Sequence, residues 1–326
     1  MPVSVLLPFR NAATTLEEAI ATTLADLRRD DELVVVDDGS TDGAVAPSDP
    51  RIVTVRTPGL GVAGALAAGL ARCRHPYLAR MDADDRTLPG RFAAQAAALD
   101  ADPSLAVIAS QVALIGAPGP GIERFVAWQN ALVTPADHAR SIFVESPLCH
   151  PSAMLRRSAL DAVGGFRAGP FAEDYDLWLR LVAAGWSIAK LPRVLLEWRI
   201  HDANTTWNDP RTSIDALRRL RARHLAVLIG ERPFGIWGAG REGLRLSRAL
   251  EAAGVRPAFF VDIDPKKIGR IRHDVRVIAA DTAIDRVGFT RELLVIAVAT
   301  RGGRDLVRGR LEGENLVERV DFVCAA

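Results

Sequence analysis

Twice in this sequence a short β-branched run ends abruptly in clustered carboxylates: Leu33–Val36 leads into Asp37-Asp38-Gly39-Ser40, and Tyr77–Met81 into Asp82-Ala83-Asp84-Asp85. Between and around these runs the chain alternates strand and helix signals. Val3–Leu7 is an apolar run that stops at Pro8, and Thr15-Leu16-Glu17-Glu18 has the form of a capping box. Leu16, Ala19, Ile20, Thr23, Leu24 and Leu27 then recur at helical spacing. Arg51–Val55 is a third strand-like run, followed by Pro58-Gly59 and an Ala-rich helix to about Cys73, and a further helix begins near Pro89. Alternating strands and helices predict a mostly parallel, Rossmann-like α/β sheet. In such sheets ligands bind beyond the carboxyl ends of the strands, where both acidic clusters fall.

The chain of 326 residues is long enough for two domains. With 49% hydrophobic and 25% charged residues it can bury a sizeable core, which excludes disordered and fibrous classes. Its 41 Lys and Arg against 40 Asp and Glu leave a net charge of +1, so the basic footprint of a nucleic-acid binder is missing. Cys73, Cys149 and Cys324 are widely spaced, which indicates neither a disulfide framework nor a zinc site and fits a reducing compartment. No apolar run approaches the ~18 residues of a membrane span, and the N-terminus lacks the pattern of a signal peptide. The chain reads as cytoplasmic, with at most peripheral contact at the inner face of a membrane, and nothing in it fixes whether it forms a homo-oligomer.

Carboxylates gathered at one sheet edge raise one another's pKa unless a cation compensates. A hard divalent ion, Mg²⁺ or Mn²⁺, held by one or two carboxylates and substrate phosphates, is the natural partner. Asp and Gly also favour turns on their own account, but two clusters after two strands of one sheet point to a ligand.

Four motifs in order, Val3–Asn11 (VSVLLPFRN), Val34–Gly43 (VVVDDGSTDG), Tyr77–Arg86 (YLARMDADDR) and Glu173–Arg180 (EDYDLWLR), are similar to those of the family-2 glycosyltransferases with the GT-A fold. The resemblance covers about residues 2–206. It implies that Pro8, Phe9 and Arg10 lie along a nucleotide and that Asp38, with Asp37 beside it, reads the base, commonly uracil. It also implies that Asp82 and Asp84 form a DxD-type motif, Asp84 ligating the metal and Asp82 facing the ribose or sugar. Asp174 takes the place of the catalytic base of an inverting transfer. His201 matches a histidine that reaches the metal or diphosphate, His150 one on the acceptor side, and Arg80 a donor contact. Ala67 stands where related sequences commonly carry Asn, which bears on donor choice.

The chemistry the resemblance implies agrees with elementary physics: a diphosphate leaving group needs a cation, and a single in-line displacement needs one general base on the opposite face. Asp174 opens a helix, a position where an acid also complements the helix dipole.

From Pro233 a second unit begins. Strand Phe234–Trp237 runs into Gly238-Ala239-Gly240-Arg241-Glu242-Gly243 and a helix, and the next strand ends at Asp262. This is the context of a dinucleotide fingerprint, with Gly238, Gly240 and Gly243 near a pyrophosphate and Asp262 on ribose hydroxyls. About 95 residues remain, fewer than a full two-half Rossmann domain needs, so NAD(P) or another nucleotide competes with a structural role. The Arg-rich helix before it, about Ser213–Ile229, reads as a solvated basic face or a contact for anionic lipid.

The expected organisation is a GT-A nucleotide-diphospho-sugar transferase domain over 1–210, a linker helix over 211–230 and a smaller Rossmann-like α/β domain over 231–326. The expected activity is metal-dependent, inverting transfer from a nucleotide sugar, a UDP-sugar first, to a glycan or lipid-linked acceptor in cell-envelope polysaccharide synthesis. Competing readings are a nucleotide-sugar-binding protein without turnover and an NAD(P)-binding oxidoreductase acting through the second domain.

Overall fold

The computed structural model describes residues 1–202, 204, 208–300 and 302–326. Positions 203 and 205–207, at the end of the region carrying the family resemblance, lie outside the described residues. The chain forms two units: Met1–His138 with Pro147–Asp209, and Ala139–Ser146 with Pro210–Ala326.

The first unit is built on β1 (Val3–Phe9), β2 (Glu32–Asp37), β3 (Ile52–Arg56), β4 (Tyr77–Arg80), β5 (Arg86–Thr87), β6 (Leu105–Gly116), β7 (Met154–Arg156) and β8 (Ser187–Ile200). These form one sheet in the order β3-β2-β1-β4-β7-β6-β8-β5. Strands β1 to β4 are mutually parallel, and β7 enters antiparallel between β4 and β6. Every residue of β1 is buried, the expected state of a strand covered on both faces, which explains its unbroken apolar run.

The sequence predicts that β1 stops at Pro8, yet it runs on to Phe9, and the register explains why. Leu6 O accepts from Met81 N on the β4 side, and Phe9 O accepts from Asp38 N on the β2 side. Even-numbered residues therefore face β4, whose pairing with β1 ends at Leu6↔Arg80. The donor that Pro8 lacks falls where no neighbour needs it.

A second expectation fails at the helix Leu16–Asp26. Thr15 makes no side-chain cap, and Glu18 instead pairs with Arg86 at 2.5 Å and Arg199 at 2.6 Å. A charge-assisted pair outcompetes a neutral capping bond. The two runs around residues 105–115 are one strand, β6, irregular in register near Ser110–Val112 against β8.

The second unit carries β9 (Phe234–Trp237), β10 (Phe259–Asp262), β11 (Ile271–Arg272), β12 (Val275–Ala279), β13 (Leu293–Ile296) and β14 (Phe322–Cys324), in the order β11-β12-β10-β9-β13-β14. Only β11 runs antiparallel to its neighbour. The chain moves outward from β9 through β10 to β12, then returns to the other side of β9, so the order reverses there. Trp237, Phe259, Val261, Ile296 and Phe322 centre its core. The helix Ile214–Ile229 belongs to this unit and is capped by Ser213, whose Oγ accepts from Ala216 N at 3.3 Å. Its basic residues are divided between roles: Arg218 pairs with Asp215 and with Glu242 at 3.2 Å, Arg221 donates to Val144 O, and Arg219 and Arg223 face solvent.

Candidate active site

Parallel pairing puts the carboxyl ends of β1, β2 and β4 on one edge of the first sheet, and the loops there are stitched to each other. Asn11, at φ +54°, accepts from Thr41 N at 2.8 Å through Oδ1 and donates its own N–H to Ser40 Oγ at 3.0 Å. Ala13 N donates to Asp42 Oδ2 at 2.8 Å. Pro8 and Phe9 are buried in the strand, while Arg10 is exposed, its guanidinium close enough to Gly59 that a Cβ there would lie 3.7 Å from Nη1. Asp37 accepts from Ser40 N at 2.7 Å and stands 3.5 Å from Arg56.

Asp38 is buried, and both its oxygens are engaged by the chain itself. Oδ1 accepts from Thr57 Oγ1 at 2.5 Å and Leu60 N at 2.7 Å, and Oδ2 from Gly61 N at 2.8 Å. Burial alone would raise its pKa; these donors, with the Arg10 charge, bring it below the ordinary carboxylate value. Asp38 thus holds the 57–61 loop and the start of the helix Gly61–Leu70, on whose exposed face Ala67 lies.

The second acidic cluster follows β4. Ligand oxygens of Asp82, Asp84 and Asp85 lie within 4.8 Å of one another. Strand β5 begins one residue later and pairs with β8, Arg86↔Glu197, so the end of β8 returns to the cluster. There His201 Nε2 is 2.9 Å from Asp84 Oδ2, Arg199 N donates to Asp85 Oδ1 at 2.9 Å, and Arg199 Nε to Asp84 O at 2.8 Å. Burial, then the Asp82 charge, raises the Asp84 pKa, with His201 pulling it back. Asp85 is almost wholly buried and is raised well above the ordinary range by burial and then by Asp82 and Asp84. Its Oδ2 has no hydrogen-bond partner among the described residues. An orphaned buried oxygen in a set of mutually repelling carboxylates fits a hard divalent cation.

Arg80 is buried. Its guanidinium holds Asp82 Oδ1 at 2.6 Å and also bonds Met81 O.

The helix Glu173–Ala183, which packs against β8, begins with Glu173 and the half-buried Asp174. Burial first, then the neighbouring Glu173, pushes the Asp174 pKa up to about 7, with Arg80 among the groups opposing the rise. His150 packs edge-on to Trp178 at 5.6 Å, with Nδ1 4.0 Å from Glu173. Burial, then the Arg80 charge, lowers its pKa well below the usual histidine value, so the ring is neutral and the Glu173 contact is not an ion pair. The Cys149 thiol beneath feels the charges of Asp85, Asp82 and Asp174 together, after the larger effect of burial. One region therefore gathers Asp82, Asp84, Asp85, Arg80, His150, Asp174 and His201.

Three contributors are absent from the motif-based prediction as site residues. Asp85 enters the cluster itself, and Arg199 anchors two of its members. Arg91, fully buried, donates to Arg80 O at 2.7 Å and Pro151 O at 2.5 Å beneath the site. For Asp85 and Arg199 the signal was adjacency to named motifs; Arg91 gave none beyond an arginine opening a largely apolar helix.

In the second unit, Gly238 adopts φ +116°, and a Cβ there would fall 2.6 Å from Ala297 O. At Gly243 a Cβ would fall 1.8 Å from Gly238 O, whereas at Gly240 it would meet nothing within 4 Å. Asp262 is engaged: Oδ2 accepts from Ala239 N at 3.1 Å and Lys267 Nζ at 2.9 Å, and Oδ1 from Asp264 N at 3.0 Å. Asp262, at the end of β10, reaches the glycine turn through Ala239 N, and its other bonds hold its own loop.

The profile of glycosyl transferase family 2 matches residues 4–164. The amylovoran biosynthesis glycosyltransferase AmsE of Erwinia amylovora is 30% identical over 191 residues, covering 56% of this chain and 70% of that protein. A UDP-Gal:alpha-D-GlcNAc-diphosphoundecaprenol beta-1,3-galactosyltransferase of Escherichia coli is 25% identical over 193 residues, 56% of this chain and 68% of the relative. Among solved structures, S. aureus TarS 1-349 in complex with UDP-GlcNAc superposes with a TM-score of 0.50 at 16% identity, over 78% of this chain and 71% of that one, a likeness of fold. The chain belongs to glycosyl transferase family 2 and has the GT-A architecture, with a second, smaller α/β unit after it. It is a glycosyltransferase.

Proposed function

We propose that this enzyme transfers a sugar, with inversion and dependence on Mn²⁺ or Mg²⁺, from a nucleoside-diphosphate donor to a hydroxyl of a glycan or lipid-linked acceptor. The observation that carries the reading is the gathering of Asp82, Asp84, Asp85 and His201 at the carboxyl edge of the sheet, with one further acid, Asp174, in the same region. Asp82, Asp84, Asp85 and His201 would hold the cation, which when bound supplies positive charge against a departing diphosphate. His201 orients the Asp84 carboxylate, and Arg80 fixes Asp82. The stitched 9–13 and 38–42 loops and the Asp38-held turn frame a nucleotide, with Arg10 exposed beside it. Asp174 takes the proton of the acceptor hydroxyl; a pKa near the working pH suits a general base. With the Asp82–Asp85 carboxylates given over to the cation, Asp174 as general base supports a single displacement, hence inversion.

The names of the relatives support a UDP donor and a polysaccharide product, and the galactosyltransferase's name supports a lipid-diphosphate acceptor. Such an acceptor would be met at the cytoplasmic face of a membrane; no helix among the described residues is long and apolar enough to cross one.

The test is thermal denaturation with UDP and other nucleoside diphosphates, with and without Mn²⁺, followed by assay of transfer. A ligand that binds only the native state raises its melting temperature, so UDP with Mn²⁺ should stabilise the wild type. Asp84→Ala should lose the Mn²⁺-dependent part and all transfer. Asp174→Asn should keep the stabilisation and lose transfer. If no nucleoside diphosphate stabilises the protein in either condition, the reading falls.

A further inference from the structure

Arg91 is fully buried, and among the described residues it makes no ion pair. An unpaired buried cation is costly, so a fold that keeps one must satisfy its donors. Here Nη2 donates to Arg80 O and Pro151 O, Nη1 lies 3.4 Å from Thr87 Oγ1, and Nε donates to Gln95 Oε1 at 3.2 Å. Gln95, one turn along the helix Arg91–Ala101, donates through Nε2 to Ser152 O at 2.7 Å and Ile108 O at 3.0 Å. The two side chains therefore clamp three segments: the end of β4, the His150–Ser152 turn and β6. Arg80 lies two residues before Asp82, and Pro151 follows His150 directly. Burial pulls the Arg91 pKa down to about 10, partly countered by the charges of Asp85 and Asp26, so the guanidinium stays charged beneath the acidic cluster.

We propose that Arg91 is a positioning residue that sets the spacing between the Asp82–Asp85 loop and the turn carrying His150, and so between the donor and acceptor sides of the reaction. Its catalytic consequence rests on the transferase reading above; its geometric consequence does not. A neutral apolar side chain of the same length would leave two buried carbonyls unpaired and the two loops free to drift, and a displacement of about 1 Å can cost about 100-fold in rate.

The experiment compares the wild-type chain with Arg91→Met, Arg91→Gln and Arg91→Lys. Ring ¹⁵N resonances of His150 are read without substrate, UDP binding is read with Mn²⁺, and turnover of UDP-sugars is split into transfer and hydrolysis. Arg91→Met should shift the His150 signals and lower transfer about 100-fold, while UDP binding and hydrolysis fall less. Arg91→Lys, whose single nitrogen has donors for both carbonyls, should restore the signals and most of the transfer. If Arg91→Met does not fold, Arg91→Gln, whose amide is shorter than the guanidinium by the reach to Nη2, should show the same shift. Unmoved His150 signals in the folded Met or Gln variant would overturn the proposal. So would equal losses of binding, hydrolysis and transfer that Lys does not rescue. A wild type that neither binds UDP with Mn²⁺ nor turns over a UDP-sugar would refute the UDP-donor reading alone, leaving the His150 signals to decide Arg91.

Discussion

Replacing Asp174 by Asn should make the free protein more stable at alkaline pH while ending catalysis. The folded-state pKa of Asp174 is raised from 3.8 to about 7, by burial and then by Glu173. Because the folded value lies above the unfolded one, the favourable contribution is complete below about pH 4 and is lost as pH climbs to about 7. Across that window the wild type loses as much as about 4 kcal/mol relative to a side chain that cannot ionise, at 1.36 kcal/mol per pH unit. Asn has nearly the same volume and no such loss. Urea denaturation in EDTA should therefore find the two proteins equally stable near pH 4 and the variant increasingly more stable up to pH 7, with a constant gap above it. Transfer by the wild type should fall as pH drops below about 7, where the base becomes protonated, and transfer by the variant should be negligible throughout. A stability difference that does not change with pH, or an Asn variant less stable at pH 8, would refute the argument that Asp174 is held in a site hostile to its charge.

Asp38 has the opposite sign. Its pKa is lowered despite burial, through Thr57, Leu60 and Gly61, so its contribution is present at neutral pH and lost on acidification. Asp38→Asn should destabilise by about 2–3 kcal/mol at pH 7, with the gap closing toward pH 3 in denaturant melts, because a charged acceptor of three bonds is replaced by an amide. In the second unit Gly243→Ala would set a Cβ 1.8 Å from the Gly238 carbonyl and should destabilise by about 3 kcal/mol or more. Gly240→Ala meets nothing within 4 Å and should leave the melting of that unit unchanged, so any loss of nucleotide binding by Gly240→Ala would reveal a ligand rather than a packing role.

The parallel sheet was legible because β1, β2 and β4 are apolar runs that end at loops, and the ends of β2 and β4 are marked by acids. Boundaries set by register were not: β1 outlasts Pro8 because its neighbour on that side has already left, a fact of pairing and not of the local sequence. The capping box at Thr15 failed for a related reason. Glu18 is drawn to Arg86 and Arg199, the latter 181 residues away in the chain. Clustering of Asp82 and Asp84 with His201 follows from β8 returning beside β5, and a matched motif order anticipated it without giving the cause. Motif reading is silent on the direction a side chain faces. Asp38, Arg80 and Asp262 are each engaged by their own loop or neighbour. A pattern of residue types reports that a polar group is wanted at a turn; only packing decides whether it serves the ligand or the turn.

The same distinction explains how the fold tolerates its acids. Three carboxylates within 4.8 Å repel, and two of them have raised pKa values because burial has removed water as well. Four basic side chains counter this from the protein side: Arg80 on Asp82, His201 on Asp84, the Arg199 backbone and side chain on Asp85 and the Asp84 carbonyl, and Arg91 beneath. Their contacts are made largely to carbonyls and single oxygens, so they steer the cluster without neutralising it, and Asp85 Oδ2 stays without a partner. Had the cations paired each acid bidentately, the loop would be more stable and a divalent ion would find no free oxygen. The incomplete compensation is thus the physical signature of a site prepared for a further positive charge. It predicts that Asp85→Asn, which removes a buried charge and keeps the acceptor for Arg199, stabilises the metal-free protein while weakening Mn²⁺ binding. A variant that loses stability without Mn²⁺ would show that the cluster is balanced as it stands.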